Sequence, residues 1–529
     1  MEFLDTLRLE QSYAPLEKDV WVIKSQVIYP SIKILGFDAH GSFINVYSDF
    51  NTDPKLPKKY FDNTILKYQQ GSNKKNNEYW ESNRPSPLQE KEVLDYRIKD
   101  SLELAKQKPY YMDSLDKVRN KVTVMGALLI GQTFSLQKKK VSFNVRPLTE
   151  QFSYNTVEGF VINTGATWTK QLDQSGFNRR NISIAPNLRY GFSNKHFNAH
   201  LTGIYNFGKR YINSLMLSGG SRIFQFNNAS PIGPRTNSIS TLIGERNQIK
   251  IYEAIYLRGS YTKGIGDGFT WTGAFQYQDR KPLENTNDFK FKNHPDREFT
   301  PNYPSEIVSQ NIIRHQVFTT LVRLKWQPGS RYMELPEQII NLGSQLPVFS
   351  LEYTRAFDGL FGSDADFSKW KFGLKDDLNF KLRGRFSYRI GIGGFLDTLK
   401  MQVPDYQHFN GNVSTFATEY LNSFQLLPIY KYSNKSNFYT VAHFEHHFNG
   451  FLTNKIPGFK KLNWYLVAGV NTFYIDKNKN YLEYMIGFEN IFKQFRVDIA
   501  RGAYKGEKAE LHFKIGLRRP LGKVFDDWP

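Results

Sequence analysis

Phe269-Thr270-Trp271-Thr272-Gly273-Ala274-Phe275-Gln276-Tyr277-Gln278-Asp279-Arg280 is the stretch on which the fold of this chain turns. Phe269, Trp271, Phe275 and Tyr277 hold one set of alternate positions, and Thr270, Thr272, Gln276, Gln278 and Arg280 hold the other. A period of two belongs to a β-strand, whose successive side chains point to opposite faces. Rings stand at both ends of the apolar face, where a strand crossing a bilayer meets its two interfaces.

The same rhythm extends in both directions. Ile182, Ile184, Pro186, Leu188, Tyr190 and Phe192 alternate with Asn181, Ser183, Ala185, Asn187, Arg189 and Gly191, and Phe197, Ala199, Leu201, Gly203, Tyr205 and Phe207 repeat the rule. From about Lys138 onward the pattern predicts sixteen strands. Eight lie near 138–147, 156–171, 180–193, 196–207, 213–226, 250–265, 268–283 and 316–329, and eight near 349–357, 370–382, 384–396, 437–449, 462–475, 481–489, 494–501 and 508–518. An even count suits a closed antiparallel barrel. The expected fold is all-β dominated: a 16-stranded antiparallel transmembrane β-barrel over 136–520, a small α+β segment before it over 1–135, and a tail over 521–529.

Connection lengths supply a second criterion, because outer-membrane barrels keep short turns on the periplasmic side and long loops outside. The three longest connections, 227–249, 284–315 and 397–436, fall on one side. Tight turns at Gly266–Gly268, at Arg383 with Gly384 and at Glu489–Gln494 fall on the other, where 330–348 is a long exception. Tyr420–Tyr432 also alternates, but a strand there would break the parity, so it is assigned to the longest outer loop.

Residues 1 to about 135 read differently. Asp19–Ile34 and His40–Phe50 are predicted as strands, and Pro54 and Pro57 then break the pattern. Ser86, Pro87 and Gln89 form a helix start, with Leu94, Ile98 and Leu102 along one face. A second helix is expected after Asp113, carrying Leu115, Val118, Val122, Met125 and Leu129, and both stripes read as packing surfaces.

Composition bounds the function. A mean hydropathy of -0.52 beside 16% aromatic residues fits strict alternation of apolar and polar positions. The formal charge of +20 points to acidic partners, namely the anionic lipid and lipopolysaccharide of a membrane surface. Its basic residues are spread along the chain and form no folded basic module, so nucleic acid is not expected as a partner. With no cysteine, disulfides, thiolate metal sites and cysteine nucleophiles are excluded. The longest apolar run, Val122 to Ile130, is well short of the roughly 20 residues of a bilayer-crossing helix. Met1-Glu2-Phe3-Leu4-Asp5 is no secretory signal, so the chain is read as a mature form or a fragment.

A soluble propeller or sandwich fits less well. No fixed repeat is visible, and strands of ten or more residues exceed the usual five or six or so of soluble sheets. Arg323, Lys325, Arg385, Arg389, Asp498 and Lys514 alternate opposite apolar faces, which a watery lumen tolerates and a dry core does not.

His443, Glu445 and His447 share one face of a strand, opposite Phe444 and Phe448. Imidazoles with a carboxylate suit zinc, but a spacing of about 7 Å between alternate residues is awkward for one ion, and the competing reading is a hydrogen-bonded lumenal patch beside Arg or Lys of neighbouring strands. Lumenal polar candidates are therefore His443, Glu445, His447, Arg385, Arg389, Arg323 and Asp498, with no metal or cofactor assigned. Gly264–Gly268 and Gly391–Gly394 precede no helix start and read as turns or strand bends, not phosphate loops. No nucleophile elbow is present, and no enzymatic activity is expected.

Several motifs resemble a known family. Tyr79-Trp80, Asn83-Arg84-Pro85, Pro87-Leu88 and Asp100-Ser101 look like the pre-barrel signature of the domain-of-unknown-function family 5686 of Bacteroidetes outer-membrane proteins. Asn155-Thr156-Val157-Glu158-Gly159-Phe160, Leu188-Arg189-Tyr190-Gly191-Phe192-Ser193, Glu445-His446-His447-Phe448-Asn449-Gly450-Phe451 and Asn454-Lys455-Ile456-Pro457 extend the resemblance over nearly the whole chain. It implies an upstream signal peptide and a carboxypeptidase-regulatory-like domain, so that this chain would be the C-terminal part.

The last five strands also resemble the outer-membrane assembly and translocation superfamily, which includes the barrel subunits of the Bam and Tam machineries. Val403-Pro404, Phe409, Gly411 and Asn412 fall where that superfamily enters its sixth loop, yet 413–436 contains no Arg for the Arg-Gly-aromatic lock expected there. The functional expectation is an integral outer-membrane barrel with a periplasmic N-terminal segment, acting in protein or lipid assembly, insertion or translocation. Periplasmic or lipoprotein partners and unfolded client proteins go with that role, and a seam between 138–147 and 508–518 would open laterally. A passive or plugged pore for solutes is the alternative.

Overall fold

The computed structural model describes residues 4–517 apart from 35–36, 58–59, 70, 73–74, 85–86, 173–179, 209–210, 212, 230–231, 336–337 and 504–510. The expected cap at Ser86 and the tail over 521–529 lie outside the described residues. Two compact units divide the chain, Met1–Thr64 with Tyr68–Glu103, and Ile65–Lys67 with Leu104–Pro529.

In the first unit, β1 (Leu4–Glu17) pairs antiparallel with β2 (Val20–Ile34). The short strands β3 (Phe37–His40) and β4 (Phe43–Val46) both pair with β2, so the expected strand over His40–Phe50 is much reduced. Helix α1 (Asn77–Asn83) is capped by Asn76, whose side chain accepts from the Tyr79 N–H at 3.0 Å. Helix α2 (Glu90–Gln107) begins where the Gln89 N–H donates to the Glu92 carboxylate at 2.8 Å. Its stripe is not a packing surface: Leu94, Ile98 and Leu102 are all exposed.

In the second unit, α3 (Pro109–Arg119) stops earlier than the apolar spacing predicts. Val118, Val122, Met125 and Leu129 are exposed, and Gly126–Ile130 makes a single wide π-turn. Helical spacing over-ran because Asn120 leaves the helix: its side chain donates to the Ser135 carbonyl at 2.9 Å and accepts from the Ser135 N–H at 2.7 Å, clamping the helix end to the first strand.

The sheet begins with the hairpin β6 (Gln132–Leu136) and β7 (Val141–Val145). After the short helix α4 (Leu148–Gln151), β8 (Phe152–Asn155) resumes the same edge, so that β7 and β8 pair with successive halves of β9 (Gly159–Gln171). Next come β10 (Asn181–Gly191), β11 (Phe197–Phe207), β12 (Asn213–Gln225), β13 (Ile251–Gly266), β14 (Phe269–Lys281) and β15 (His315–Trp326), each antiparallel to its predecessor.

Strands β16 (Arg331–Leu335) and β17 (Gln338–Gly343) leave the sheet as a hairpin that forms a small three-stranded sheet with β5 (Thr64–Lys67). That hairpin accounts for the long exception among the short turns. The sheet continues through β18 (Val348–Ala356), β19 (Asp366–Asn379), β20 (Arg385–Lys400) and β21 (Tyr439–His447). It ends with β22 (Tyr465–Asp476), β23 (Lys479–Ile491), β24 (Phe495–Ala503) and β25 (Leu511–Leu517).

Each of the sixteen stretches expected from the two-residue period coincides with a strand of this sheet. The strand order runs round a barrel. In that order β25 stands next to β6, and the strands differ from the expected sixteen, since the hairpin strand β6 is added and the edge beside β9 is split into β7 and β8. The neighbour of the last strand is thus β6 and not the 138–147 stretch, because a further hairpin strand precedes it.

The two faces have inverted polarity. On β23, Tyr481, Glu483, Met485, Gly487 and Glu489 are buried, while Leu482, Tyr484 and Ile486 are exposed. On β24, Arg496 and Asp498 are buried and Ile499 is exposed. No helix among the described residues is long and apolar enough to cross a membrane.

The turn from β8 to β9 explains one sequence motif. The Asn155 Oδ1 accepts from the Val157 and Glu158 N–H groups at 2.9 and 2.8 Å, and Gly159 turns with a φ of +67°. Glu158, 1% exposed, takes a two-pronged bond from Arg189 on β10, with Nε at 2.7 Å. Breaking a buried pair strands the remaining charge. Glu158→Ala is expected to lower stability by about 3 kcal/mol, read as an earlier urea midpoint for the barrel in detergent; an unchanged midpoint would refute the pinning role.

Candidate functional site: the loop-filled interior

The 401–438 connection does not stand away from the barrel but folds along its inner face, and its anchors come from strands far apart in the sheet. Val403-Pro404-Asp405 forms a turn in which Asp405, 4% exposed, accepts from Arg280 Nη1 of β14 at 2.7 Å. Val403 and Tyr430 join Phe226, Tyr252 and Ala254 in a buried apolar cluster at the β12–β13 side. Phe409, Phe424 and Leu427 join Tyr439, Phe473, Ile475 and Tyr481 in another on β21–β23. Phe409 stacks on Phe473 with ring centres 4.3 Å apart.

A carboxylate organises the middle of this segment. Glu483, fully buried, accepts from the Gln425 N–H at 2.6 Å and the Leu426 N–H at 3.0 Å. Asn471 Nδ2 at 2.7 Å and the Tyr481 hydroxyl at 3.0 Å donate to the same group. Four donors satisfy the oxygens of this one buried carboxyl group, and two of them fix the loop backbone.

Tyr420 makes the next anchor. Its hydroxyl donates to Asp498 Oδ2 at 2.7 Å, and the Arg496 guanidinium lies 3.6 Å from its ring centre. Arg496 Nε bonds Asp498 at 2.9 Å, and Nη1 bonds Glu445. The loop thus supplies the aromatic ring of this anchor, and the wall supplies both the Arg and the Asp. Sequence reading missed it because Tyr420 and Arg496 are 76 positions apart and neither stands in a recognisable motif.

Just before Tyr420 the loop reaches the edge of the sheet. The Ile515 N–H donates to the Thr415 carbonyl at 3.0 Å, and the Ala417 N–H donates to the Ile515 carbonyl at 2.8 Å, a parallel bridge centred on Phe416. A strand residue presents its N–H and C=O to the same side, so these bonds occupy the edge of β25 that faces away from β24. Lys514 Nζ donates to the Ser414 carbonyl at 2.5 Å from the inner face.

Of the expected lumenal residues, His443, Glu445 and His447 are buried on one face as the alternation predicts. They form the hydrogen-bonded patch and not a convergent ligand set. His443 Nδ1 meets Asn471 Oδ1 at 2.9 Å, and His447 lies between Glu445 at 3.0 Å and Glu489 at 3.0 Å. Among the described residues no group of three His, Cys, Asp or Glu side chains is arranged to hold a metal ion. Asp498 belongs to the Tyr420 anchor, and Arg323 pairs with Glu352 at 3.2 Å. Arg389 lines a separate cavity, and Arg385, opposite His447 in the β20–β21 register, is exposed at the end of β20.

Two consequences can be measured. Tyr420→Ala removes a desolvated cation–π contact and a bond to a charged acceptor, together about 3 kcal/mol, and is expected to open 415–425 to protease; Tyr420→Phe should lose about half as much. His408 Nε2 donates to the Val403 carbonyl at 3.0 Å and Nδ1 accepts from Ser433 at 2.7 Å. Burial, reinforced by the Lys369 ammonium, holds this imidazole down to about 4. An unfolded His takes its proton near pH ~6.5, so this contribution to packing is complete above that pH and drains away as pH falls toward 4. Amide exchange over 403–433, corrected for intrinsic rates, should therefore quicken between pH 7 and pH 5 or so, and His408→Gln should flatten the trend; equal pH dependence in both proteins would refute it.

Comparison with known proteins places the chain in a family. Residues 125–488 match the model described as "Family of unknown function (DUF5686) C-terminal domain", and residues 1–50 match "Family of unknown function (DUF5686)". No curated protein matches. Among solved structures, BamA from Haemophilus ducreyi lacking POTRA domains 1-3 is similar at 11% identity over 97% of this chain and 90% of that one, with a TM-score of 0.39. CdiB from Acinetobacter baumannii is similar at 12% identity over 71% of this chain and 59% of that one, with a TM-score of 0.35. The family match spans well over half of the sequence and its two parts lie in order, so this chain belongs to the DUF5686 family.

Proposed function

We propose that the chain is an outer-membrane β-barrel that assembles or inserts other proteins or lipids through the edge of its last strand. The observation that carries this reading is Ile515, whose N–H and C=O are both spent on loop residues 415–417 and not on a first strand. An unpaired strand edge is a template for another strand. Here a short stretch of the chain's own loop occupies that template, and a client strand would compete for the same two hydrogen bonds.

Membrane residence is supported by the inverted faces. Leu482, Tyr484, Ile486 and Ile499 stand exposed on strands whose other face buries Glu483, Arg496 and Asp498. In lipid, backbone polar groups must be satisfied within the protein, which favours closure of the cylinder around the seam. The α3 end, beside the turns at 137–140, would then face the periplasm with the N-terminal segment, as the short turns on that side suggest. The surplus of basic residues suits anionic lipid and lipopolysaccharide, and periplasmic or lipoprotein partners would deliver clients. This role needs no catalytic chemistry.

A plugged pore is the second reading, favoured by a loop that fills an interior bearing a cluster of cations. Two experiments separate them. The chain has no native cysteine, so Phe416→Cys with Ile515→Cys gives one defined cross-link between loop and edge. Under oxidising conditions the linked strain should lose outer-membrane proteins as a depleted strain does, and normal growth with an unchanged outer-membrane proteome would refute the edge mechanism. In planar bilayers the assembly reading expects little steady current; large, ion-selective, steady conductance would favour the pore.

A further inference from the structure

We infer that the cavity between β15, β18, β19, β20 and the 401–438 loop is a binding site for a phosphate-bearing anion. The cavity measures about 250 Å³. Its wall carries Arg323 and Lys325 from β15, Lys369, Lys371 and Lys375 from β19, and Arg389 from β20. Beside these six cations the lining holds two carboxylates, Glu352 and Glu419.

Geometry makes this a pocket and not a scatter of lysines. Lys369, Lys371 and Lys375 occupy alternate positions on one strand and so project from the same face. The register sets Lys375 opposite Arg389 and Gly373 opposite Gly391. The two glycines leave the floor between Lys371 and Arg389 without side chains: a Cβ on Gly373 would come within 2.5 Å of the Ser350 hydroxyl, and one on Gly391 within 3.1 Å of Val441. The loop closes the other side with Asn410, Asn422 and His408.

Three of these cations are also under-compensated. Arg323 shares Glu352 with its neighbourhood, but the side chains of Lys369, Lys371 and Arg389 have no ion pair or hydrogen bond among the described residues. Gathering like charges inside a protein away from bulk water is costly unless a counter-charge enters. A tetrahedral oxyanion with two or more charges, presented to several ammonium groups and one planar guanidinium, is the chemistry that these donors match. Since loop and wall both line the cavity, a bound anion would also tie the loop to β19 and β20. The inference is independent of the seam, because none of these residues lies on β24 or β25.

The full chain in detergent is the material for the test, with inorganic pyrophosphate as soluble probe and phosphorus analysis of the purified protein as the second arm. Saturable pyrophosphate binding near one per chain is expected, weakened at least about tenfold by Lys371→Gln with Arg389→Gln and unchanged by the exposed pair Lys117→Gln with Arg119→Gln. Removing unpaired like charges should leave the ligand-free variant as heat-stable as the parent or more so; Lys369→Gln is the second variant should the double one not refold. Tightly held lipid phosphorus near one per chain, lost in the variant, would assign the site to a lipid headgroup, and pyrophosphate binding without lipid phosphorus would assign it to a free anion. Neither binding nor retained phosphorus, or binding indifferent to the variants, would overturn the inference.

Discussion

Burying charge on the inner face of a sheet is possible only if each charge finds a partner, and the 401–438 loop supplies or orients many of those partners. Glu483 is fully buried and would be untenable facing hydrocarbon, yet two loop N–H groups and two wall side chains complete its shell. Asp405 does the converse, carrying a carboxylate from the loop to Arg280 of the wall. Loop and wall are therefore one electrostatic structure. Neither could be reshaped alone without leaving a buried charge unpaired.

That mutual dependence bears on the seam. The loop is held by ring stacking and by charge, through Phe409 on Phe473, Tyr420 on Arg496 and the Glu483 shell, and only its 415–417 stretch touches the last edge. Two backbone hydrogen bonds are a modest grip, worth about 1 kcal/mol each, beside the anchors that flank them. A competitor could exchange there without dismantling the plug. Lys514, reaching the Ser414 carbonyl, marks the inner side of the same contact.

Much of the wall was legible because a two-residue period is a local property. Phe269 to Arg280 announces its faces without knowledge of any neighbour, and β14 spans the stretch expected. The helical part was less legible. Leu94, Ile98 and Leu102 keep helical spacing, but spacing alone does not say whether anything covers a face, and here they are exposed. The early end of α3 depends on Asn120 meeting Ser135, and the partner strand β1 on pairing with β2, both decided by contacts outside the window of any periodicity.

For the site, the sequence by itself determined that His443, Glu445, His447 and Asp498 turn inward, since strand geometry obliges alternate residues to share a face. Only the tertiary structure decided what they meet: Asn471, Arg496, Glu489 and Tyr420 arrive from other strands and from a loop far along the chain. The same division holds for the barrel. Alternation gave each strand its two faces, but the occupant of the last edge depends on which backbone groups come within hydrogen-bonding reach of Ile515, a distance that no local pattern encodes.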